Sequence, residues 1–412
     1  MKLAIDRDRL VSEIQALGQI SEAEPPVVTR VVFTKADLRA RAWVIAKCKE
    51  AGLSVRIDAV GNTFARWTGS DASAPVVGAG SHIDSIPNAG KYDGVVGVLG
   101  GLEAIRALKS AGFQPKHSIE LLIFTSEEPT RFGVGCLGSR MLSGALTAEA
   151  AAKLRDPNGD LLDEVRRKAG FEGSLNNVKL AAGHYHAFVE LHIEQGPILE
   201  RERISLGIVE RIAAPASANI FLEGSGGHAG GVLMPDRKDA LCAASELILA
   251  VERAARSTGA VDTVATVGIC DVFPGAVNSI PSKVRFSLDV RDTDLARRDG
   301  VMNEIALAGK GIAAKRSVSV RTEILNVDAP AECAPEVIRA LAESCGTHEL
   351  GCLPMVSRAY HDSLFVSRIA PTGMLFIPCF QGYSHRPDEY AAPEDIEKGA
   401  LVLAETLAKL AS

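Results

Sequence analysis

The sequence predicts an α/β protein: a mixed, mostly parallel sheet flanked by helices, interrupted by an inserted α+β domain. Three observations carry this. Short apolar runs at 75–80 (PVVGAG), 119–124 (IELLIF), 187–193 (AFVELHI) and 373–378 (GMLFIP) read as buried strands. Segments with apolar residues at helical spacing alternate with them, which implies a sheet covered on both faces. Between about 213 and 328 the pattern changes to strand, helix, two strands, helix, strand, the order of a ferredoxin-like unit.

Taken in order, 35–51 (KADLRARAWVIAKCKEA) has a helical pattern that stops at Gly52. SVRIDAV and NTFARWT then form a hairpin joined at Gly61 and Asn62. The 75–80 strand runs into SHID, and 95–112 is a helix, glycine-rich where it must pack closely. In the insertion, 216–223 reads as a strand and 236–256 as a long helix. TVATVGICDV and KVRFSLDVRD are two more strands, DLARRDGVMNEIALAG a helix and SVSVRTEIL a strand. The 373–378 strand precedes a loop and a helix over 394–410. The expected domains are a discontinuous one over 1–212 and 329–412 and the insertion over 213–328.

Composition excludes several functions. A net charge of −6 and a pI near 5.9 leave no footprint for nucleic acid. No apolar window is long enough to span a membrane. The amino terminus, MKLAIDRDRL, lacks the apolar core of a secretion signal. The 8 cysteines are scattered with no CxxC pair, which fits reduced thiols in a cytoplasmic protein.

The chemistry gathers where strands end. Glu127 and Glu128 follow the 119–124 run, and two adjacent acids in a strand point to opposite faces, so they can hold different jobs. His82 follows the 75–80 strand, with Asp93 after it just before the glycine-rich helix. His192 closes the 187–193 strand and His385 lies in the loop after 373–378. Nitrogen and oxygen donors without thiolates suit Zn²⁺ or Mn²⁺. Five such ligands are too many for one open catalytic ion but suit two ions if a carboxylate bridges, and Asp93 is the natural bridge. Each residue has a plainer alternative: a hydrogen-bonded structural histidine, or for Asp93 a helix N-cap. Asp84, two residues after His82, is placed to orient its imidazole.

The motifs GSHIDSIPNAGKYDGVVGVLGGLEA, FTSEEPTRFGVGCLGSR, VELHIEQGPILE, GGHAGGVLMPDRKDA and GYSHRPDEY resemble, in order, those of the dinuclear-metal amidohydrolases of the aminoacylase/aminopeptidase clan. The resemblance spans about 30 to 410 and implies a zinc-aminopeptidase-like fold whose inserted domain serves as lid and dimerisation surface. It implies one ion on His82 and His192, the other on Glu128 and His385, Asp93 between them, and Glu127 as general base. Two divalent ions per subunit follow, Mn²⁺ favoured by the resemblance and Zn²⁺ the alternative. His228 would reach across the dimer interface to stabilise an oxyanion; its plainer role is to cap the 227–232 turn.

For substrate, the resemblance implies a carboxylate clamp at Arg291 and amide contacts from Asn278 and Gln195, with Tyr360 and His361 closing the other side. Arg291 has the alternative of a surface salt bridge, and Tyr360 that of a packing aromatic. Relatives acting on carbamoyl amino acids or allantoate usually carry glycine where this chain has Tyr360. SRAYHDSLF and GYSHRPDEY resemble most the members of the group that act on a small ureido acid, and that resemblance implies (S)-ureidoglycolate first. N-carbamoyl-L-amino acids, β-ureidopropionate and allantoate are the alternatives, and a peptide or acyl amino acid comes after them.

Overall fold

The structure is a computed structural model and describes residues 2–412. The chain separates into two compact units. The first comprises Met1–Glu210, Glu332–Met355 and His361–Ser412, the second Arg211–Ala331 and Val356–Tyr360.

The first unit is organised by a mixed sheet. Its four central strands run parallel, in the order Ile119–Phe124, Val76–His82, Tyr185–Ile193, Thr372–Ile377. Antiparallel strands flank them: the Ser54–Ile57/Thr63–Trp67 hairpin on one side and Leu206–Ile212 on the other. The central strands are buried almost throughout, as their continuous apolar runs require. The helix Val95–Ser110 packs on this sheet through glycines. A Cβ at Gly97 would stand 2.3 Å from the Leu191 carbonyl oxygen, and one at Gly101 2.7 Å from Leu121 Cδ1. The C-terminal helix Pro393–Leu410 lies against that helix, and both bury apolar faces in the main core.

Parallel strands bring their carboxyl ends to one edge, and register decides which residues are level there. Ala79 pairs with Val189, so three further places set His82 level with His192. His82 pairs with Phe124 and His192 with Phe376. Strand extents differ from the sequence reading by up to three residues, the largest at SVRIDAV (54–60), whose strand ends at Ile57. The 75–80 strand continues to His82, which is thus the last strand residue rather than the first loop residue. Glu127 and Glu128 lie beyond their strand, after a left-handed Ser126 (φ 56°). Strand alternation therefore does not separate them; a loop does.

The second unit is an antiparallel sheet in the order Cys270–Phe273, Lys283–Asp292, Ala214–Glu223, Ser319–Val327, with Val264–Thr266 also paired to Lys283–Asp292. Helices Ala240–Ser257 and Leu295–Arg316 cover it, burying Leu247, Val251, Val301 and Ile305 against Ile220, Phe286 and Leu288. The expected strand TVATVGICDV is two short strands. The first helix starts at Ala240, because Asp239 caps it by accepting from Leu241 and Cys242. The second runs past Gly309 and Gly311 to Arg316 and stops at a left-handed Ser317. Helices Arg7–Gly18 and Pro335–Thr347 had no place in the sequence reading.

Candidate active site

At the carboxyl edge of the first unit's sheet, the donor atoms of His82, Asp93 and His192 lie within 4.8 Å of one another. Those of Asp93, Glu128 and His385 do the same. Asp93 belongs to both groups and divides its oxygens between them. Oδ1 is 3.4 Å from His82 Nε2 and 3.2 Å from His192 Nε2, while Oδ2 is 3.4 Å from His385 Nε2. His385 Nε2 is also 3.2 Å from Glu128 Oε1. Five residues separated by up to 303 positions thus converge around one carboxylate.

The ring orientations suit a cation. His82 Nδ1 is 3.0 Å from the Asp84 carbonyl oxygen and His192 Nδ1 is 2.9 Å from that of Ile193. A carbonyl only accepts, so each Nδ1 carries its hydrogen and each Nε2 presents a lone pair inward. The Gly94 N–H, 3.2 Å from His192 Nε2, agrees with that tautomer. Electrostatics point the same way. Burial pushes His82 down, but Asp93, Glu127 and Asp84 outweigh it and raise the ring's affinity for positive charge. Hydrogen bonds that the imidazole donates to the Asp93 and Glu128 carboxylates push His385 up to about 11. A field that holds a proton so firmly favours any cation in its place. Two nitrogen- and oxygen-donor groups sharing a carboxylate fit a pair of divalent ions.

Gly94 makes room for this arrangement. Its φ is 67°, and a Cβ there would stand 2.5 Å from His82 Nε2. Asp93 is set from behind by Glu389, whose Oε1 accepts the Tyr92 N–H (2.8 Å) and the Asp93 N–H (3.1 Å). Ser384 Oγ lies 2.6 Å from Asp93 Oδ2 and 3.0 Å from Glu389 Oε2. Neither Glu389 nor Ser384 was singled out from the sequence, although both lie in GYSHRPDEY. The presence of a second acid after His385 was the available signal.

Glu127 stands beside the cluster with Oε2 3.8 Å from His82 Nε2. Burial pushes its carboxyl well above the ordinary range against the pull of His82, and Glu128 adds to the rise. Such a carboxyl is suited to taking and returning a proton. Asp84 meets the His82 ring through its main-chain carbonyl. Its carboxylate Oδ1 is 3.8 Å from His82 Nδ1, beyond hydrogen-bond reach.

The other candidates fall in two places. In the first unit, Gln195 Nε2 donates to Asp93 Oδ2 at 2.7 Å, and its Oε1 is buried without a partner. His361, buried, packs its ring 4.5 Å from that of His192. In the second unit, His228 and Asn278 line a shallow cavity of about 400 Å³, and the Ala229 N–H bonds the Asn278 carbonyl. His228 Nδ1 accepts from Gly230, the turn-capping contact its neighbours allow. Arg291 Nε is 2.7 Å from Asp289 Oδ1, and its guanidinium lies 5.8 Å from the Tyr360 ring centroid. Both plainer roles, salt bridge and packing aromatic, are thus present. Asp362 is a further buried acid missed in the sequence, 2.5 Å from Ser139 Oγ.

A fold of this kind with this edge defines a hydrolase class, and the chain belongs to peptidase family M20/M25/M40, whose model matches residues 78–409. It is 51% identical to the ureidoglycolate hydrolase of Arabidopsis thaliana, across 99% of this chain and 87% of that protein. It is 39% identical to the N-carbamoyl-L-amino acid amidohydrolase of Geobacillus stearothermophilus, across 99% of each. The crystal structure of AtUAH in complex with glyoxylate superposes with a TM-score of 0.91 at 50% identity, covering 99% of this chain and 98% of that one. Among the described residues, no helix is long and apolar enough to cross a membrane.

Proposed function

We propose that this chain is a two-metal amidohydrolase whose substrate is (S)-ureidoglycolate. The sharing of Asp93 between two donor groups, with Glu127 alongside, is the observation that carries the reading. His82 and His192 would hold one divalent ion, Glu128 and His385 the other, with Asp93 common to both and Mn²⁺ preferred over Zn²⁺. Bound there, such ions acidify water and polarise a carbonyl oxygen.

The chain's own residues do the rest. Glu127 takes a proton from the attacking water and passes it to the nitrogen that leaves the carbamoyl carbon. His228 donates to the oxyanion, reached across a homodimer formed through the inserted domain, whose second role is that of a lid. Arg291 clamps the substrate carboxylate, with Tyr360 stacked on the guanidinium to hold it in place. For the ureido group, the first unit offers His361 and the free Oε1 of Gln195, and the second unit offers Asn278. One water is consumed as the C–N bond breaks, giving carbamate and hydroxyglycine. Carbamate decays to CO₂ and ammonia, and hydroxyglycine to glyoxylate and ammonia. The setting is ureide catabolism in the cytoplasm.

The relatives support this substrate: the more similar of the two enzymes is named for ureidoglycolate, the other for N-carbamoyl-L-amino acids. The test is ammonia release by metal-reconstituted protein on ureidoglycolate, allantoate and N-carbamoyl-alanine. The highest kcat/KM is expected on ureidoglycolate, and Tyr360→Gly should lower that value more than the one for N-carbamoyl-alanine. A preference for either of the other substrates would overturn the assignment.

A further inference from the structure

Cys136 has no part in the chemistry described so far, yet its thiol stands within hydrogen-bond reach of the Glu127 carboxylate. Its Sγ lies 3.3 Å from Glu127 Oε1, whereas the nearest imidazole, His82, stands 3.8 Å from Oε2. The backbone fixes this approach independently. Three successive N–H groups, of Cys136, Leu137 and Gly138, donate to the carbonyls of Glu127 (2.7 Å), Ser126 (2.9 Å) and Thr125 (2.8 Å). The start of the helix Leu137–Ser143 is thereby stitched to the segment that carries the base.

Cys136 itself is held in the left-handed region, φ 54° and ψ 35°, where a side chain with a Cβ is disfavoured. From behind, Ser139 Oγ lies 3.2 Å from the Cys136 carbonyl oxygen and 2.5 Å from Asp362 Oδ1. The thiol is fully buried, and burial keeps it protonated, so it is a donor.

We propose that Cys136 is the positioning residue of Glu127: its S–H donates to Oε1 and fixes the carboxylate rotamer, leaving Oε2 for the attacking water. The role rests on Glu127 acting as the base. It also explains why a cysteine occupies a strained position that glycine would fill more easily. Ser139 and Asp362 hold the backbone that carries the thiol.

Two measurements test this. In kinetics with ureidoglycolate, Cys136→Ala should lower kcat about three- to tenfold, the share of one neutral hydrogen bond, with KM little changed. Cys136→Ser, which restores a donor, should recover most of the loss. The second readout needs no turnover. The infrared S–H stretch of Cys136, isolated as wild type minus Cys136→Ser, should show a hydrogen-bonded thiol and move to higher frequency in Glu127→Ala. Wild-type kcat in Cys136→Ala, or an S–H band that ignores Glu127→Ala, would overturn the proposal. If no substrate turns over, the functional reading fails while the infrared experiment still decides the contact.

Discussion

Asp84 holds Glu128 by its main chain: Asp84 Oδ2 accepts the Glu128 N–H at 3.1 Å, while Oδ1 accepts the Glu127 N–H at 3.2 Å. One buried carboxylate therefore sets the loop that bears both a candidate ligand and the candidate base. The same residue holds the His82 ring through its carbonyl oxygen. Three site residues are tied to one position.

For that reason Asp84→Asn should disturb catalysis more than folding. The amide keeps one acceptor but sets an NH₂ group against the second N–H. We expect kcat to fall about 10- to 100-fold, as for other groups that orient metal-site residues. Steady-state kinetics beside circular dichroism checks this, and unchanged kcat would count against the anchoring role.

Glu127→Gln keeps the shape and removes the basic oxygen. Turnover should drop by about 10²–10⁴-fold while both ions and the melting temperature are kept. Kinetics and elemental analysis on the same preparation decide it. A variant retaining most of its activity would shift the base to another group.

Gly94→Ala should damage the centre from within. The added methyl would meet the His82 ring at 2.5 Å, on a backbone with positive φ. We expect fewer than two ions per chain and a stability loss of about 1–3 kcal/mol. Full metal stoichiometry in this variant would show that the ring can move aside freely.

In the second unit, Asp292 should govern part of the acid stability. Burial raises its carboxyl, but Arg297 (2.7 and 2.5 Å), the Thr263 hydroxyl and the Asp294 N–H outweigh this and hold it below the usual 3.8. A depressed folded pKa gives stability that is complete above the unfolded value and lost as pH falls through the folded one. Asp292→Asn should therefore be destabilised relative to wild type at neutral pH, with the gap closing below about pH 4. Denaturant titrations at several pH values measure it. A gap independent of pH would mean that Asp292 acts by packing alone.

Much of this was legible in the sequence. IELLIF reads as a buried strand without help, and its observed bounds are Ile119–Phe124. Parallel strands deliver their ends to one edge, so histidines and acids at those ends had to meet. The rest depended on contacts that no local pattern encodes. Glu389 meets the Tyr92 and Asp93 amides across nearly 300 residues, and Asp362 meets Ser139 across 223. Asp84 was found, but its choice of carbonyl for His82 and carboxylate for the Glu127 loop follows from backbone geometry. The loop conformation at Ser126, which separates Glu127 from Glu128, was likewise beyond a strand-period argument.

His82 and His192 are sealed from solvent, whereas the His385 side chain is 47% exposed on a backbone with φ 60°. In the proposed centre the two ions would then differ in how fast they trade with bulk solution, the one on His385 and Glu128 being the more labile. Chain produced under metal scarcity would be caught half-loaded, and its output would follow environmental supply of that single ion.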